Sequence, residues 1–259
     1  MRYIMFQVGN FKVYSYGLMI AIGIIAAFLT AEHRTKKLGL NKDLILDLAV
    51  WCAVGGLLGA KLLYFITEFK EIIENPKILL NFSEGFVVYG GIIGGIFSGY
   101  LFTKVKKINF LDYFDLVMPE IALAQGIGRI GCLFAGCCYG KETNSRFYVA
   151  FKNSPFAPNH VHLIPTQIMS SLFDFALFFV LIFIAKKAKA EGKQGVVAAS
   201  YLVLYSLGRF IVEFFRGDEV RGFIGPVSTS QFIATILFVL GMIFLLVSLK
   251  RKVGKNEAI

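Results

Sequence analysis

Seven long apolar segments run through this chain of 259 residues, and they limit what it can fold into. The hydrocarbon core of a bilayer is about 30 Å thick, so a helix needs roughly 20 mostly apolar residues to cross it. With 56% hydrophobic residues and a mean hydropathy of +0.67, the chain has more apolar surface than a soluble domain can cover. The sequence therefore predicts an all-α integral membrane protein. It forms one polytopic domain over residues 1–259, with about seven transmembrane helices at residues 17–31, 44–66, 86–102, 111–134, 167–185, 195–214 and 228–249.

Basic residues gather in every second connection between these segments. They follow the first, third, fifth and seventh segments, where Lys36, Lys106, Lys187 and Lys250 lie, while the other connections mix acids with bases. Positively charged connections stay on the cytoplasmic side, so the pattern predicts an outside amino terminus and an inside carboxyl terminus. The basic residues behind the net charge of +10 then set the direction of membrane insertion and contact anionic lipid headgroups. No nucleic-acid partner is predicted.

A block rich in glycine and cysteine, residues 126–140, ends the fourth segment and leads into a polar outer loop at about residues 135–165. It contains Arg129, and an arginine within a bilayer costs roughly 2.5–3.5 kcal/mol on insertion scales, which makes it a functional candidate by default. Gly128, Gly131 and Gly140 leave the backbone of this block open to close approach. The block predicts a binding site for an anion, and a lipid headgroup fits its depth near the outer surface.

A second charged group closes the sixth segment. Arg209, Glu213 and Arg216 are spaced i, i+4 and i+7, so they project from one face of a helix. Glu213 can hold both guanidiniums in place. Two oriented guanidiniums can each donate two hydrogen bonds to a phosphate or a carboxylate. Because Arg129 and Arg209 both lie near the outer ends of their segments, we expect them to converge on one pocket. The alternative is a salt-bridge cluster that only joins two helices.

Three cysteines, Cys132, Cys137 and Cys138, cluster at the same end of the fourth segment. Their spacing matches no standard structural zinc motif, and no Cys-x-x-Cys pair is present for redox exchange. Small apolar packing is the favoured interpretation, with a metal or redox role and a place in the pocket lining as alternatives. No metal and no organic cofactor is predicted.

These motifs, in this order, resemble the bacterial prolipoprotein diacylglyceryl transferase family over nearly the whole chain. The Gly-Arg-Ile-Gly block that continues to Gly140 is the most specific element of the resemblance. The other matching elements are weaker alone but fall in the family's order: Tyr16-Gly17, Tyr89-Gly90-Gly91, Pro165-Thr166-Gln167, the run from Arg209 to Arg216, and Ser228 with Gln231.

The resemblance implies a reaction in the bacterial cytoplasmic membrane. Such enzymes move the diacylglyceryl group of phosphatidylglycerol onto the lipobox cysteine of a preprolipoprotein signal peptide, giving a thioether and glycerol phosphate. The nucleophile belongs to the substrate, so no cysteine of the enzyme and no cofactor is required. The implied catalytic residues are Arg129, Arg209, Tyr89 and Tyr16, and the implied substrate-binding residues are Arg129, Arg209, Glu213, Arg216, Gln167, Gly128, Gly131 and Gly140.

The chain departs from the family pattern at several positions. Tyr89 stands where the family usually has histidine, Cys132 where it often has asparagine, and Cys137 where it often has glutamate. The phosphate-binding residues are therefore present, while the acid–base residues are altered, and the thiol proton leaves through Tyr89, Tyr16 or water. Two alternatives stay open: a paralogue of the same fold with another lipid acceptor, and a membrane thiol oxidoreductase that uses Cys132, Cys137 and Cys138.

Overall fold

The computed structural model describes residues 3–9, 11–75, 85–218 and 222–251, and it is predominantly helical. Within these residues the elements in chain order are β1 (Ile4–Val8), β2 (Phe11–Tyr14), α1 (Ser15–Leu38), α2 (Leu44–Thr67), α3 (Phe69–Glu74), α4 (Val88–Val105), α5 (Phe110–Ala135), α6 (Thr166–Ala190), α7 (Val196–Glu213), β3 (Phe223–Ile224), β4 (Val227–Ser228) and α8 (Thr229–Lys250). Each predicted apolar segment lies largely within a helix, and the helix of the first segment begins at Ser15.

Six helices in the described residues are long and apolar enough to cross a membrane: α1, α2, α5, α6, α7 and α8. The chain is therefore a multi-pass, mainly α-helical membrane protein, as predicted. The seventh predicted span, α4, falls outside this set because five of its eighteen residues are glycine and Lys104 lies in its last turn, which together lower its hydropathy. Seven spans and the orientation of the termini stay predictions.

The chain divides into two compact units. One contains the residues up to Arg34 together with those from Phe114 onward, and the other is Thr35–Tyr113. In the second unit, α2 and α4 pack backbone to backbone through paired glycines. A Cβ on Gly59 would lie 2.4 Å from the carbonyl oxygen of Gly90, and one on Gly94 would lie 2.3 Å from that of Gly55. Small residues four apart allow this close approach of two helices.

The first unit has its main apolar core where α5, α6 and α7 meet, with Ala122, Leu181 and Ala198 fully buried. Asp115 on α5 fixes the start of α7 by accepting hydrogen bonds from the backbone N–H groups of Gly195 at 2.7 Å and Ala198 at 2.8 Å. Such a carboxylate satisfies backbone donors that the first turn of a helix leaves unpaired. The last turn of α5 and the first turn of α6 border the loop that carries the cysteines.

The start of α8 is fixed by a capping box. The side chain of Ser228 accepts from the N–H of Gln231 at 3.1 Å, and the Gln231 side chain accepts from the N–H of Ser228 at 3.1 Å. This reciprocal pair satisfies two orphan donors of the helix, as the Ser-x-x-Gln sequence predicts. Both residues are buried, so α8 begins at a defined place beside the end of α7.

The polar outer loop between α5 and α6 is ordered around a small core of its own. Val149, Phe151, Ala157 and Leu163 are buried there, and isolated bridges pair Leu163 with both Glu142 and Val149. The chain also forms two short hairpins, β1–β2 and β3–β4, which the all-α prediction did not include. Strands of two to five residues lie outside the apolar segments and leave no periodic pattern long enough to detect.

Candidate active site

Arg129 and Arg209 line one pocket in the first unit, as the sequence predicts. Arg129 comes from α5 and Arg209 from α7, so two separate helices bring their guanidiniums together. The other residues that line the pocket come from α6 and α7: Ser170, Phe173, Asp174, Tyr205, Gly208 and Val212. The pocket thus combines two guanidiniums with the carboxylate of Asp174 and a small apolar part formed by Phe173 and Val212.

Glu213 forms the predicted bridge between two guanidiniums. Its Oε2 lies 3.1 Å from Nη2 of Arg209 and 3.9 Å from Nη1 of Arg216, and the Glu213 side chain is only 1% exposed. Arg209 Nη2 also donates to Oγ of Ser230 on α8 at 2.9 Å. The Arg209 guanidinium is therefore held from two sides, which keeps it oriented toward the pocket.

Arg216 lies just beyond α7 and is held by Asp218. Its Nε donates to Oδ1 of Asp218 at 2.8 Å, and its Nη2 bonds to the other carboxylate oxygen, which makes a bidentate pair. Burial opposes the charge of Arg216, but the pair with Asp218 and the nearby Cys138 and Glu213 together outweigh burial and raise the pKa of the guanidinium. Arg216 thus stays charged next to the carboxylate of Glu213.

Gly140 joins the outer loop to the end of α7 by direct backbone pairing with Arg216. Lys141 N–H donates to the carbonyl of Phe215 at 2.9 Å, and Gly217 N–H donates to the carbonyl of Tyr139 at 3.0 Å. A Cβ on Gly140 would lie 2.4 Å from the carbonyl oxygen of Ile164, so only glycine fits here. The glycine-rich block and the arginine run are therefore one connected structure.

Gln167 and Thr166, in the first turn of α6, hold the cysteine loop by its backbone. Gln167 Nε2 donates to the carbonyl of Cys137 at 2.9 Å, and Thr166 Oγ1 donates to the carbonyl of Cys138 at 2.8 Å. Both side chains are buried, and in the described part of the chain Oε1 of Gln167 has no hydrogen-bond partner. Gln167 thus holds the cysteine loop through its side-chain amide, and its role in substrate binding stays a prediction.

Gly131 and Gly128 differ in what surrounds them. A Cβ on Gly131 would lie 2.9 Å from Cβ of Met19 and 3.3 Å from Cα of Tyr16, so Gly131 lets α1 approach α5. A Cβ on Gly128 would meet nothing within 4 Å. Tyr16 therefore packs against α5 at Gly131, two residues along the helix from Arg129.

Tyr89 belongs to the second unit, where it lies in the first turn of α4 with 42% of its surface exposed. Gly90 follows it and makes the close contact with Gly59 on α2. The structure thus explains the glycine next to Tyr89 by helix packing. The catalytic role of Tyr89 stays a prediction.

The three thiols lie together beside Arg129. Their sulfur atoms are all within 4.8 Å of one another, and Nη1 of Arg129 is 3.9 Å from Sγ of Cys138. Hydrogen bonds with the thiols of Cys132 and Cys137, together with the nearby guanidiniums of Arg216 and Arg129, hold the pKa of Cys138 well below its usual range despite its burial. Cys138 is therefore the thiol of the cluster that the guanidinium of Arg129 contacts.

Sequence analysis missed Asp174, Tyr205 and Ser230 as members of the site. Asp174 is 2% exposed and lies within electrostatic range of Arg129 and Arg209. An acid in the middle of an apolar segment is itself a functional candidate, and that rule could have found Asp174. Tyr205 and Ser230 carry no charge, so nothing in their sequence context separates them from other polar residues on helices.

Comparison with known proteins agrees with this arrangement. The sequence profile of the prolipoprotein diacylglyceryl transferase family matches residues 3–247. A phosphatidylglycerol–prolipoprotein diacylglyceryl transferase of Clostridium tetani is 50% identical over 242 residues, which cover 93% of this chain and 96% of the relative. The enzyme of that name numbered 2 in Clostridium perfringens is 44% identical over 258 residues, covering 99% and 98%. That of Clostridioides difficile is 35% identical over 243 residues, covering 93% and 92%.

A multi-pass membrane protein in which two guanidiniums line one pocket has the features expected of an enzyme that handles an anionic lipid. The chain belongs to the prolipoprotein diacylglyceryl transferase family, as its motifs indicated.

Proposed function

We propose that this chain transfers the diacylglyceryl group of phosphatidylglycerol to the lipobox cysteine of a preprolipoprotein. The observation that carries the proposal is the convergence of Arg129 and Arg209 on one pocket. Family membership and the names of the relatives at 50% and 44% identity support the same reaction. The chemistry of this pair supports a phosphate-containing substrate, since guanidiniums bind phosphate.

The proposed reaction is a substitution at the carbon of the diacylated glycerol that is bonded to the phosphate oxygen. The sulfur of the substrate cysteine forms a C–S bond to this carbon while the C–O bond to phosphate breaks. The products are the thioether and glycerol phosphate. Negative charge builds on the leaving phosphate oxygen, where Arg129 and Arg209 stabilise it in a site that excludes bulk water. Glu213 acts as a positioning residue because it holds Arg209 and Arg216.

The substrate thiol must lose its proton before or during the attack. Tyr16 is our proposed route for this proton, because it packs against Gly131, two residues along α5 from Arg129. Tyr89 is kept as a second predicted acceptor. Gly128, Gly131, Gly140 and Gln167 are proposed to shape the substrate site.

We further propose that the chain lies in the bacterial cytoplasmic membrane as one domain of seven spans. The amino terminus faces outside and the carboxyl terminus faces the cytoplasm. The basic residues at the ends of α1 and α6, Lys36, Lys37, Lys187 and Lys189, support this orientation. The thiol substrate, a signal peptide with a lipobox cysteine, then meets the lipid near the outer surface.

Mass spectrometry of a synthetic lipobox peptide tests the proposal. We expect purified protein in detergent with phosphatidylglycerol to add one diacylglyceryl group to the peptide, and to leave a matched peptide with serine at the acceptor position unchanged. An Arg129→Lys variant should lose most of this activity, since lysine cannot form the bidentate contact. Phosphatidylglycerol that binds without any adduct would instead favour a paralogue with another acceptor.

A further inference from the structure

The thiol cluster is built by a reversal of the chain that sequence spacing does not reveal. Cys132 lies in the last turn of α5, and both Gly136 N–H at 2.9 Å and Cys137 N–H at 3.2 Å donate to its carbonyl oxygen. Gly136 has φ +81, so the chain folds back over the helix end in the manner of a left-handed cap. This turn returns Cys137 and Cys138 to Cys132, although four residues separate Cys132 from Cys137.

The loop that presents the thiols is held in place by contacts that leave the sulfur atoms available. The carbonyls of Cys137 and Cys138 accept the bonds from Gln167 and Thr166 described above, and both donors are buried. Cys138 has φ +56, a backbone conformation that few residues other than glycine adopt. Strained backbone persists where the surrounding structure holds it, and it is frequent at functional sites. The backbone that carries Cys137 and Cys138 is therefore held in place by its surroundings.

Three thiols this close form a ligand set rather than ordinary packing. All three sulfur atoms lie within 4.8 Å of one another, and about 2.3 Å separates zinc from each thiolate sulfur in protein sites. One ion placed between the sulfur atoms can therefore reach each of them after small side-chain shifts. The guanidiniums of Arg129 and Arg216 lie close to Cys138, and their charge offsets part of the charge that three thiolates would carry.

We propose that Cys132, Cys137 and Cys138 form a binding site for a thiophilic d¹⁰ cation such as Zn²⁺. Soft thiolate ligands select such ions over Mg²⁺ and Ca²⁺. The described residues offer three ligands in this cluster, and three protein ligands with one open position are typical of catalytic rather than structural zinc sites. The site borders the pocket through Arg129 and does not depend on the proposed transfer reaction.

Metal titration of the purified full chain, reduced and freed of metal, tests this site without any lipid. Cd²⁺ serves as a spectroscopic probe, because its thiolates give an ultraviolet charge-transfer band, and Zn²⁺ is measured by competition with a chromogenic chelator. We expect one equivalent to bind. Serine at Cys132, Cys137 or Cys138 should each weaken binding by more than about tenfold, the least that loss of an outer-shell partner of a metal site usually costs. The matched control is Cys52→Ser, which changes the fourth cysteine, on α2, and should leave binding unchanged.

A second measurement uses the unmodified chain and so does not depend on how the variants fold. The native protein is treated with N-ethylmaleimide with or without Zn²⁺, and each cysteine is then quantified by peptide mass spectrometry. We expect Zn²⁺ to slow alkylation of the three clustered cysteines and to leave Cys52 unchanged. No saturable binding, equal protection of Cys52, or a disulfide among the three cysteines in place of metal binding would overturn the proposal. Lipid transfer is not measured, so failure of the proposed function would not affect the result.

Discussion

Glu213 is the residue on which the orientation of the arginines depends. Its carboxylate contacts both Arg209 and Arg216, and its side chain is almost fully buried. Removing one partner of a buried ion pair leaves an uncompensated charge in a poorly solvated place. Two guanidiniums without their shared carboxylate also repel each other, so the pocket loses both its geometry and part of its stability.

We predict that Glu213→Gln lowers the rate of transfer by about 10²-fold, the cost of misplacing a reacting group by about 1 Å. The effect should fall on kcat more than on KM, because Arg129 still attracts the phosphate. Steady-state kinetics at varied phosphatidylglycerol measures the split, and Glu213→Asp should restore part of the rate. The matched control is Glu191→Gln, which removes an exposed partner of Lys193 and should leave both constants unchanged. An equal loss in both variants would contradict the positioning role.

The arginines of the site and their bridging glutamate could be predicted from the sequence, whereas Asp174 and the residues whose partners lie far along the chain were not predicted. Arg129, Arg209 and Glu213 stand out because charge is rare in apolar segments, and helical spacing gave the Glu213 bridge. Asp174 follows the same rule and was passed over. Glu120, whose Oε1 is 2.5 Å from Nη1 of Arg34, was also missed, since its pairing joins helices far apart in sequence. Long-range partners of this kind leave no local pattern.

At the scale of elements, the junction of the outer loop with the end of α7 depends on two glycines. A Cβ on Gly140 would lie 2.4 Å from the carbonyl oxygen of Ile164, and one on Gly217 would lie 2.6 Å from that of Gly140. Both obstacles are backbone atoms, which cannot turn aside as a side chain can. A methyl group here forces the strands apart and moves Arg216, which pairs with Gly140.

We therefore predict that Gly140→Ala lowers the midpoint of thermal unfolding in detergent, with a destabilisation of about 1–3 kcal/mol, as overpacking usually gives. Gly128→Ala is the matched control from the same block, because its Cβ would meet nothing within 4 Å. In a helix interior alanine is favoured over glycine by about 1 kcal/mol, so this variant should be at least as stable as the parent. Equal destabilisation of the two variants would contradict the packing argument.

The long helices were predictable because hydropathy marks them, and their ends followed from local signals such as the Ser228 capping box. The hairpins and the outer-loop core were not predictable in the same way. Val149, Phe151 and Leu163 are buried together by isolated bridges rather than by regular strands. Contacts of this kind depend on tertiary folding, which single-sequence patterns do not encode.

At the scale of the whole molecule, charge sets the direction of insertion. Basic residues in the last turns of α1 and α6 are exposed, and they belong to the connections expected in the cytoplasm. The orientation decides whether the pocket with Arg129 faces the outer leaflet. It is therefore a condition for the proposed meeting of lipid and signal peptide.

Labelling of single-cysteine variants tests this orientation. In these variants all four native cysteines are replaced by serine. We expect Lys152→Cys, in the outer loop, to react with a membrane-impermeant maleimide in intact cells. Lys187→Cys, at the end of α6, should react only after permeabilisation. Both positions are exposed, so burial does not affect the comparison. The opposite pattern would reverse the proposed topology.

The most direct test of the central claim is a double-mutant cycle on the transfer rate with Arg129→Ala, Arg209→Ala and both together. If the two guanidiniums hold one phosphate, each single change should cost about 10²–10³-fold, and the double variant should lose much less than the product of the two. Strong non-additivity is the predicted result. If the loss of rate in the double variant equals the product of the two single losses, the arginines act at separate places. Near-normal rates in either single variant would mean that the phosphate does not leave in this pocket.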